Sequence, residues 1–207
     1  MKRSKQLPLV SGFLVLINVF VFLACMFTNG ALYDIGMLEI RGVLVQKEYG
    51  RILWAMFLHG SVSHIFNNML ILFFLGAMIE KEIGHIWFSL IYFLSGIGGN
   101  LLSLYVKILS GDTVGSIGAS GAIFGLDGVL LSLVFFSGRQ MENVTPVRVL
   151  LMILLSLYSG YTGGNIDNAA HVGGLLIGFA AGSVMCIVQR KMSMRNRRRG
   201  NEDWNEY

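Results

Sequence analysis

The sequence predicts an all-α polytopic membrane protein, a bundle of six transmembrane helices, on three observations. Of its 207 residues, 54% are hydrophobic and only 14% charged, and the mean hydropathy is +0.64, too apolar for an ordinary soluble domain. The apolar residues collect into six runs separated by polar or glycine-rich stretches. Glycine is abundant at 26 residues while proline occurs only twice, a balance that suits membrane helices whose backbones approach closely.

Taken in order, the first run extends from about Leu7 to Thr28 behind Lys2, Arg3 and Lys5. At roughly 20 residues it is long enough to span, and with no convincing small-x-small cleavage site it reads as a helix and not a signal peptide. Residues 29 to 58 mix balanced charges with short apolar groups and aromatics such as Tyr33 and Trp54, which predicts an element lying partly in the membrane surface. Further spans follow at His64 to Ile79, Ile86 to Val106, Ser120 to about Phe136, Val149 to Tyr161 and Ala169 to Val188. The tail from Met192 to Tyr207 reads as disordered, its basic run a stop-transfer anchor or a contact for anionic lipid.

Six spans put both termini on one side, and that side collects Lys2, Arg3, Lys5, Arg139, Arg148, Arg190, Lys191, Arg195, Arg197, Arg198 and Arg199. The positive-inside rule then places both ends in the cytoplasm and opens the loops before Ser120 and His171 to the other face. The net charge of +4 comes from the termini, a membrane-orientation signal and not a nucleic-acid footprint. Cys25 and Cys186 fall near opposite membrane faces and read as buried thiols, not a disulfide.

Polar side chains inside spans are costly and therefore candidates for function. They are His59, His64, Asn67, Asn68, Ser120, Asp127, Asn168 and His171; His85, in a charged cytoplasmic turn, reads as solvated. His64 and Asn68 stand four apart and share a helix face, either to aim donors at one point or to glue two helices. Gly174, Gly178 and Gly182 continue the face of His171, and Gly121, Gly125 and Gly128 form a matching strip below Ser120. Two such strips let two helices meet at backbone distance and bring a helix-top serine to a helix-top histidine. A helix from Ser120 to Phe136 is roughly 25 Å long at 1.5 Å per residue, against a hydrocarbon core of roughly 30 Å. Ser120 is thereby expected below the outer surface under a glycine-rich re-entrant loop, with helix N-terminal amides near it.

Three motifs in this order, His59-Gly-Ser-Val-Ser-His64-Ile-Phe-Asn67-Asn68, Gly118-Ala119-Ser120-Gly121 and Ala170-His171-Val172-Gly173-Gly174 with Gly178, resemble those of the rhomboid intramembrane serine proteases, in the bacterial-type six-span core. The resemblance covers about residues 8 to 189, leaving 1–7 as a cytoplasmic lead and 190–207 as the basic tail. It implies a Ser-His dyad without a carboxylate, with Ser120 as nucleophile and His171 as general base. It implies an oxyanion site from His64, Asn68 and Gly118 with the Ser120 amide, and no metal or cofactor. Phe124 takes a position where the family often carries Tyr or Phe, spaced to pack on His171. Arg51 and Glu80-Lys-Glu-Ile-Gly84 resemble flanking structural features. The implied substrates are single-span or polytopic membrane proteins met within the lipid bilayer, the implied location a bacterial inner or plasma membrane; the oligomeric state is left open.

Two residues stay open. His59 reads as a structural hydrogen-bonding residue or a direct participant in chemistry. Asp127, two turns below Ser120 and about 11 Å away by helix pitch, departs from the family pattern; it is too deep for a third catalytic member and reads as a protonated or water-bridged structural group bonding a neighbouring helix, or as a regulatory or substrate-sensing one. Two rival classes are a catalytically inactive rhomboid-like helix-binding chaperone and a metalloprotein or transporter using His59, His64 and His171, the latter lacking an HExxH or carboxylate cluster.

Overall fold

The computed structural model describes residues 7–137, 144–162 and 166–202. Lys2, Arg3, Lys5 and Arg139, on which the predicted orientation partly rests, lie outside the described residues. The fold is an all-α bundle of long helices: α1 (Leu9–Phe27), α2 (Val62–Ile83), α3 (His85–Ser110), α4 (Ser120–Phe136), α5 (Pro146–Thr162) and α6 (Asn168–Glu202). Among the described residues, α1, α2, α3 and α6 are long and apolar enough to cross a membrane, and α4 and α5 are shorter apolar helices.

Helix α4 is the centre. Every residue from Gly121 to Leu130 is buried, and a helix that is apolar all round finds partners all round. Helices α3 and α6 pack against it, and the glycines explain how closely. A Cβ added at Gly174 would fall 1.9 Å from the Gly121 carbonyl oxygen, and one at Gly178 would fall 1.9 Å from that of Gly125. A second seam, which the sequence reading did not single out, joins α6 to α3, where a Cβ at Gly173 would stand 3.0 Å from the Gly99 Cα.

The ends of the first three helices are knotted by Glu80. Pro8 precedes α1 and offers no side-chain cap, so the amides of Val10 and Ser11 donate instead to the Glu80 carboxylate of α2, at 2.9 and 2.8 Å. Gly84, at φ +85°, turns the chain so that α3 starts at once with His85. His85 is therefore not a simply solvated residue: its Nδ1 lies 2.5 Å from Glu80 Oε1, because the tight turn folds it back over α2. Helix α2 also contains a π-helical segment, Leu72–Gly76, and starts earlier and ends later than the apolar run alone suggests.

Residues 28–61 are folded into short elements, with helices Ala31–Gly36 and Arg51–Trp54, a π-turn Arg41–Val45 and a 3₁₀ turn Ala55–Phe57. Arg51 is buried here, donating to Glu48 Oε2 at 2.7 Å and to the Met37 carbonyl at 3.0 Å. Of the tail expected to be disordered, Met192 to Glu202 continues α6 as helix, and residues 203–207 lie outside the described residues. No proline or run of β-branched residues interrupts Arg190 to Arg199, so the helix has no local reason to stop at the membrane surface.

Candidate active site

Ser120 is the first residue of α4, preceded by Ala119 as N-cap. The first bond of the helical ladder runs from the Ile123 amide to the Ala119 carbonyl, so the amides of Ser120, Gly121 and Ala122 stand ahead of it. The glycine-rich approach is fixed at two points. Ser116 and Leu38 form an antiparallel bridge with both amides donating at 3.0 Å, and the Gly118 amide donates to the Ala55 carbonyl at 2.8 Å.

His171 sits in the first turn of α6 and is buried. Its Nε2 lies 2.9 Å from Ser120 Oγ, within hydrogen-bond reach for proton transfer. The contact is made possible by the seam below it: at Gly121, Gly174, Gly125 and Gly178 no side chains hold the two helices apart. Phe124, one turn below Ser120, stacks on the imidazole with centroids 4.2 Å apart and planes at 11°. His171 Nδ1 has no hydrogen-bond partner among the described residues, so no carboxylate orients the ring; stacking does.

His64 and Asn68 converge from α2. Ser61 caps that helix by accepting the His64 amide at 3.1 Å, and both residues lie on the helix face turned to Gly118. A Cβ at Gly118 would stand 2.8 Å from His64 Nε2 and 3.6 Å from Asn68 Nδ2. Asn68 is buried, and its Nδ2 finds no acceptor among the described residues. A buried donor left open beside a serine is costly unless a ligand atom satisfies it. Asn67 is exposed and takes no part.

Gly118 needs correction as an oxyanion donor. Its amide is already committed to Ala55, and what it contributes is space, at φ +127° where side chains are strained and where a Cβ would meet His64. His59 is fully buried, and its ring meets His64 edge-on with centroids 4.9 Å apart. The ring nitrogens of His59 make no hydrogen bond of normal geometry among the described residues, and its carbonyl accepts from the Tyr33 hydroxyl at 2.5 Å. Buried and edge-on to it, His59 stands as a support behind His64. Asp127 is 7% exposed, and its Oδ1 has no partner among the described residues, so the bond to a neighbouring helix expected of it is missing on that oxygen.

One residue near the site escaped the sequence reading. Asp167, immediately before α6, accepts the Ala170 amide at 3.0 Å on Oδ1, and on Oδ2 it accepts the hydroxyls of Ser103 and Ser116. An acid one turn before the histidine, at a helix start, was the available signal.

The Rhomboid domain family model matches residues 46–188. RHOMBOID-like protein 4 of Arabidopsis thaliana is 40% identical over 159 residues, which are 75% of this chain and 39% of that protein. RHOMBOID-like protein 2 of the same plant is 36% identical over 165 residues, 77% of this chain and 50% of that one. Rhomboid protease GluP of Bacillus subtilis (strain 168) is 33% identical over 143 residues, 69% of this chain and 27% of that one. The chain thus spans half or less of the length of these relatives. With plant relatives, one of them named mitochondrial, beside a bacterial one, the expectation of a bacterial membrane is not supported, while an integral membrane protein is.

Proposed function

The chain belongs to the rhomboid family, and from that premise we propose that it is an intramembrane serine endopeptidase that hydrolyses peptide bonds in or beside transmembrane segments of other membrane proteins. The observation that carries the reading is the 2.9 Å approach of His171 Nε2 to Ser120 Oγ at the tops of two helices packed through glycine. Ser120 Oγ attacks the scissile carbonyl carbon while its proton passes to His171 Nε2. The tetrahedral oxyanion is met by the Asn68 and His64 side chains and the Ser120 amide, in the space that Gly118 leaves open. His171 returns the proton to the departing amine nitrogen, which leaves an acyl-Ser120. Water, deprotonated by the same histidine, then releases the carboxylate product.

A helical substrate has its carbonyls bonded within its own ladder, so the reaction requires local unwinding and favours small or helix-breaking residues near the bond. Both termini are assigned to the cytoplasm, with water reaching Ser120 from the opposite face. The test is cleavage of a model single-span substrate by the full chain in detergent or proteoliposomes. Activity is expected to vanish in both Ser120→Ala and His171→Ala, with a fluorophosphonate probe labelling Ser120 in the parent protein. A folded parent that binds such a substrate without cleaving it would instead favour the inactive, helix-binding class; labelling at another residue would overturn the site.

A further inference from the structure

We propose that Asp167 is a positioning residue: its single carboxylate latches the start of the His171 helix to the loop that delivers Ser120 and to the third helix, and so sets the distance between nucleophile and base. The inference rests on the protease reading for its catalytic consequence, and on geometry alone for the latch.

Oδ1 does one job. Helix α6 begins at Asn168, so Asp167 is its N-cap and Ala170 its third residue, and the Ala170 amide donates to Oδ1 at 3.0 Å. This is the N-cap bond that fixes where a helix begins, reinforced by a negative charge at the positive end of the helix dipole. The ladder then starts with the His171 amide on the Asp167 carbonyl at 3.2 Å. The histidine that reaches Ser120 thus makes the first bond of the ladder, directly after the capped amide.

Oδ2 does another. It accepts hydroxyls from Ser103, in the last third of α3, and from Ser116, four residues before Ser120. These serines are 64 and 51 residues away in the chain, and their own oxygens stand 3.5 Å apart. Two hydroxyls and one amide all donate, a set that an ionised carboxylate accepts in full. Ser116 is in turn bridged to Leu38, next to Met37, whose carbonyl is held by Arg51. The surface elements, the Ser120 loop, α3 and α6 therefore meet through Asp167.

The carboxylate is not a third member of a triad. His171 Nδ1, the atom such an acid would hold, has no partner among the described residues, and among those residues the Asp167 carboxylate bonds the backbone of α6 and the two serines. It acts by placing Ser120 and His171, and an ångström of misplacement is enough to cost about a hundredfold in rate.

The test compares Asp167→Ala, Asp167→Asn and the paired Ser103→Ala/Ser116→Ala variant in the full chain. In Asp167→Ala, kcat for a model substrate and the rate of fluorophosphonate labelling at Ser120 are both expected to fall roughly 10- to 100-fold with KM within about twofold. Backbone hydrogen exchange is expected to rise in the peptides covering 112–119 and 166–171. Asn caps helices as well as Asp and can still bond a serine, so Asp167→Asn is expected to recover most of the rate. Should Asp167→Ala fail to fold, the milder serine pair decides, with slower labelling expected at unchanged melting temperature. The proposal is overturned if a folded Asp167→Ala or serine-pair variant labels and cleaves like the parent, even if exchange at the loop increases, or if Asp167→Asn is as impaired as Ala. A parent protein labelled at Ser120 that cleaves nothing would sink the protease reading while leaving the labelling and exchange comparisons to judge the latch.

Discussion

On one flank of Ser120, helices α4 and α6 meet through bare backbone, with a Cβ at Gly174 or Gly178 falling 1.9 Å from a carbonyl oxygen. On the other flank, α2 contributes only side chains, those of His64 and Asn68, which converge on the empty position of Gly118. The seam cannot yield, because backbone meets backbone and neither helix has a rotamer to change. The donor flank can be trimmed one group at a time. Stability and rate should therefore separate: changes in the seam damage the fold and take activity with it, whereas changes on the donor flank slow the chemistry and spare the fold.

The largest expected effect is at the seam. Gly178→Val places a branched side chain against the Gly125 carbonyl, and overpacking of this kind costs on the order of 3 kcal/mol; thermal melting in detergent should show a marked drop, and cleavage should fall with it. Gly12→Ala in α1 is the control. A Cβ there meets nothing within 4 Å, and replacing a glycine inside a helix is expected to stabilise by up to about 1 kcal/mol. If Gly178→Val melted like the parent, the seam would not be rigid and the comparison would fail.

Asn68→Ala comes next and should invert the pattern. Loss of one oxyanion donor costs about 100-fold in kcat. Its Nδ2 is buried and without an acceptor among the described residues, so deleting it removes an unsatisfied group and the melting temperature should hold or rise. Loss of stability together with rate would mean that Asn68 holds helices together. Phe124→Leu should have a smaller effect. It removes a stack on His171 of about 0.5–1.5 kcal/mol, which through the rate law is roughly a 2- to 10-fold loss in kcat, read most directly as slower labelling of Ser120.

The two flanks also differ in how far they could be read from the chain alone. Glycines at spacings of three and four on two apolar helices announce a seam by periodicity, and Ser120 and Phe124 one turn apart announce the face that meets His171. The approaches to the site have no such period. The Gly118 amide is spent on Ala55, a long-range loop bond that leaves no trace in composition. Asp167 depends on serines 51 and 64 residues away, and serine is too common among membrane helices to single out. His85 meets Glu80 only because Gly84 takes a left-handed φ. What repeats along a helix is legible; what closes across loops is decided by tertiary geometry.

Asp127 tests where the seam's influence ends. It lies on α4, in the same buried stretch as Gly125 and Gly128, at 7% exposure with Oδ1 unpartnered among the described residues. A carboxyl so placed is costly in an apolar interior, and no bond on that oxygen returns the cost. If it has no part in the chemistry, Asp127→Asn should leave cleavage within about twofold of the parent, and Asp127→Ala, which removes the polar atoms and favours the helix, should raise stability by on the order of 1 kcal/mol. Abolished cleavage in a folded Asp127→Asn would assign the residue to substrate sensing or regulation, and would show that the helix below Ser120 carries more than packing.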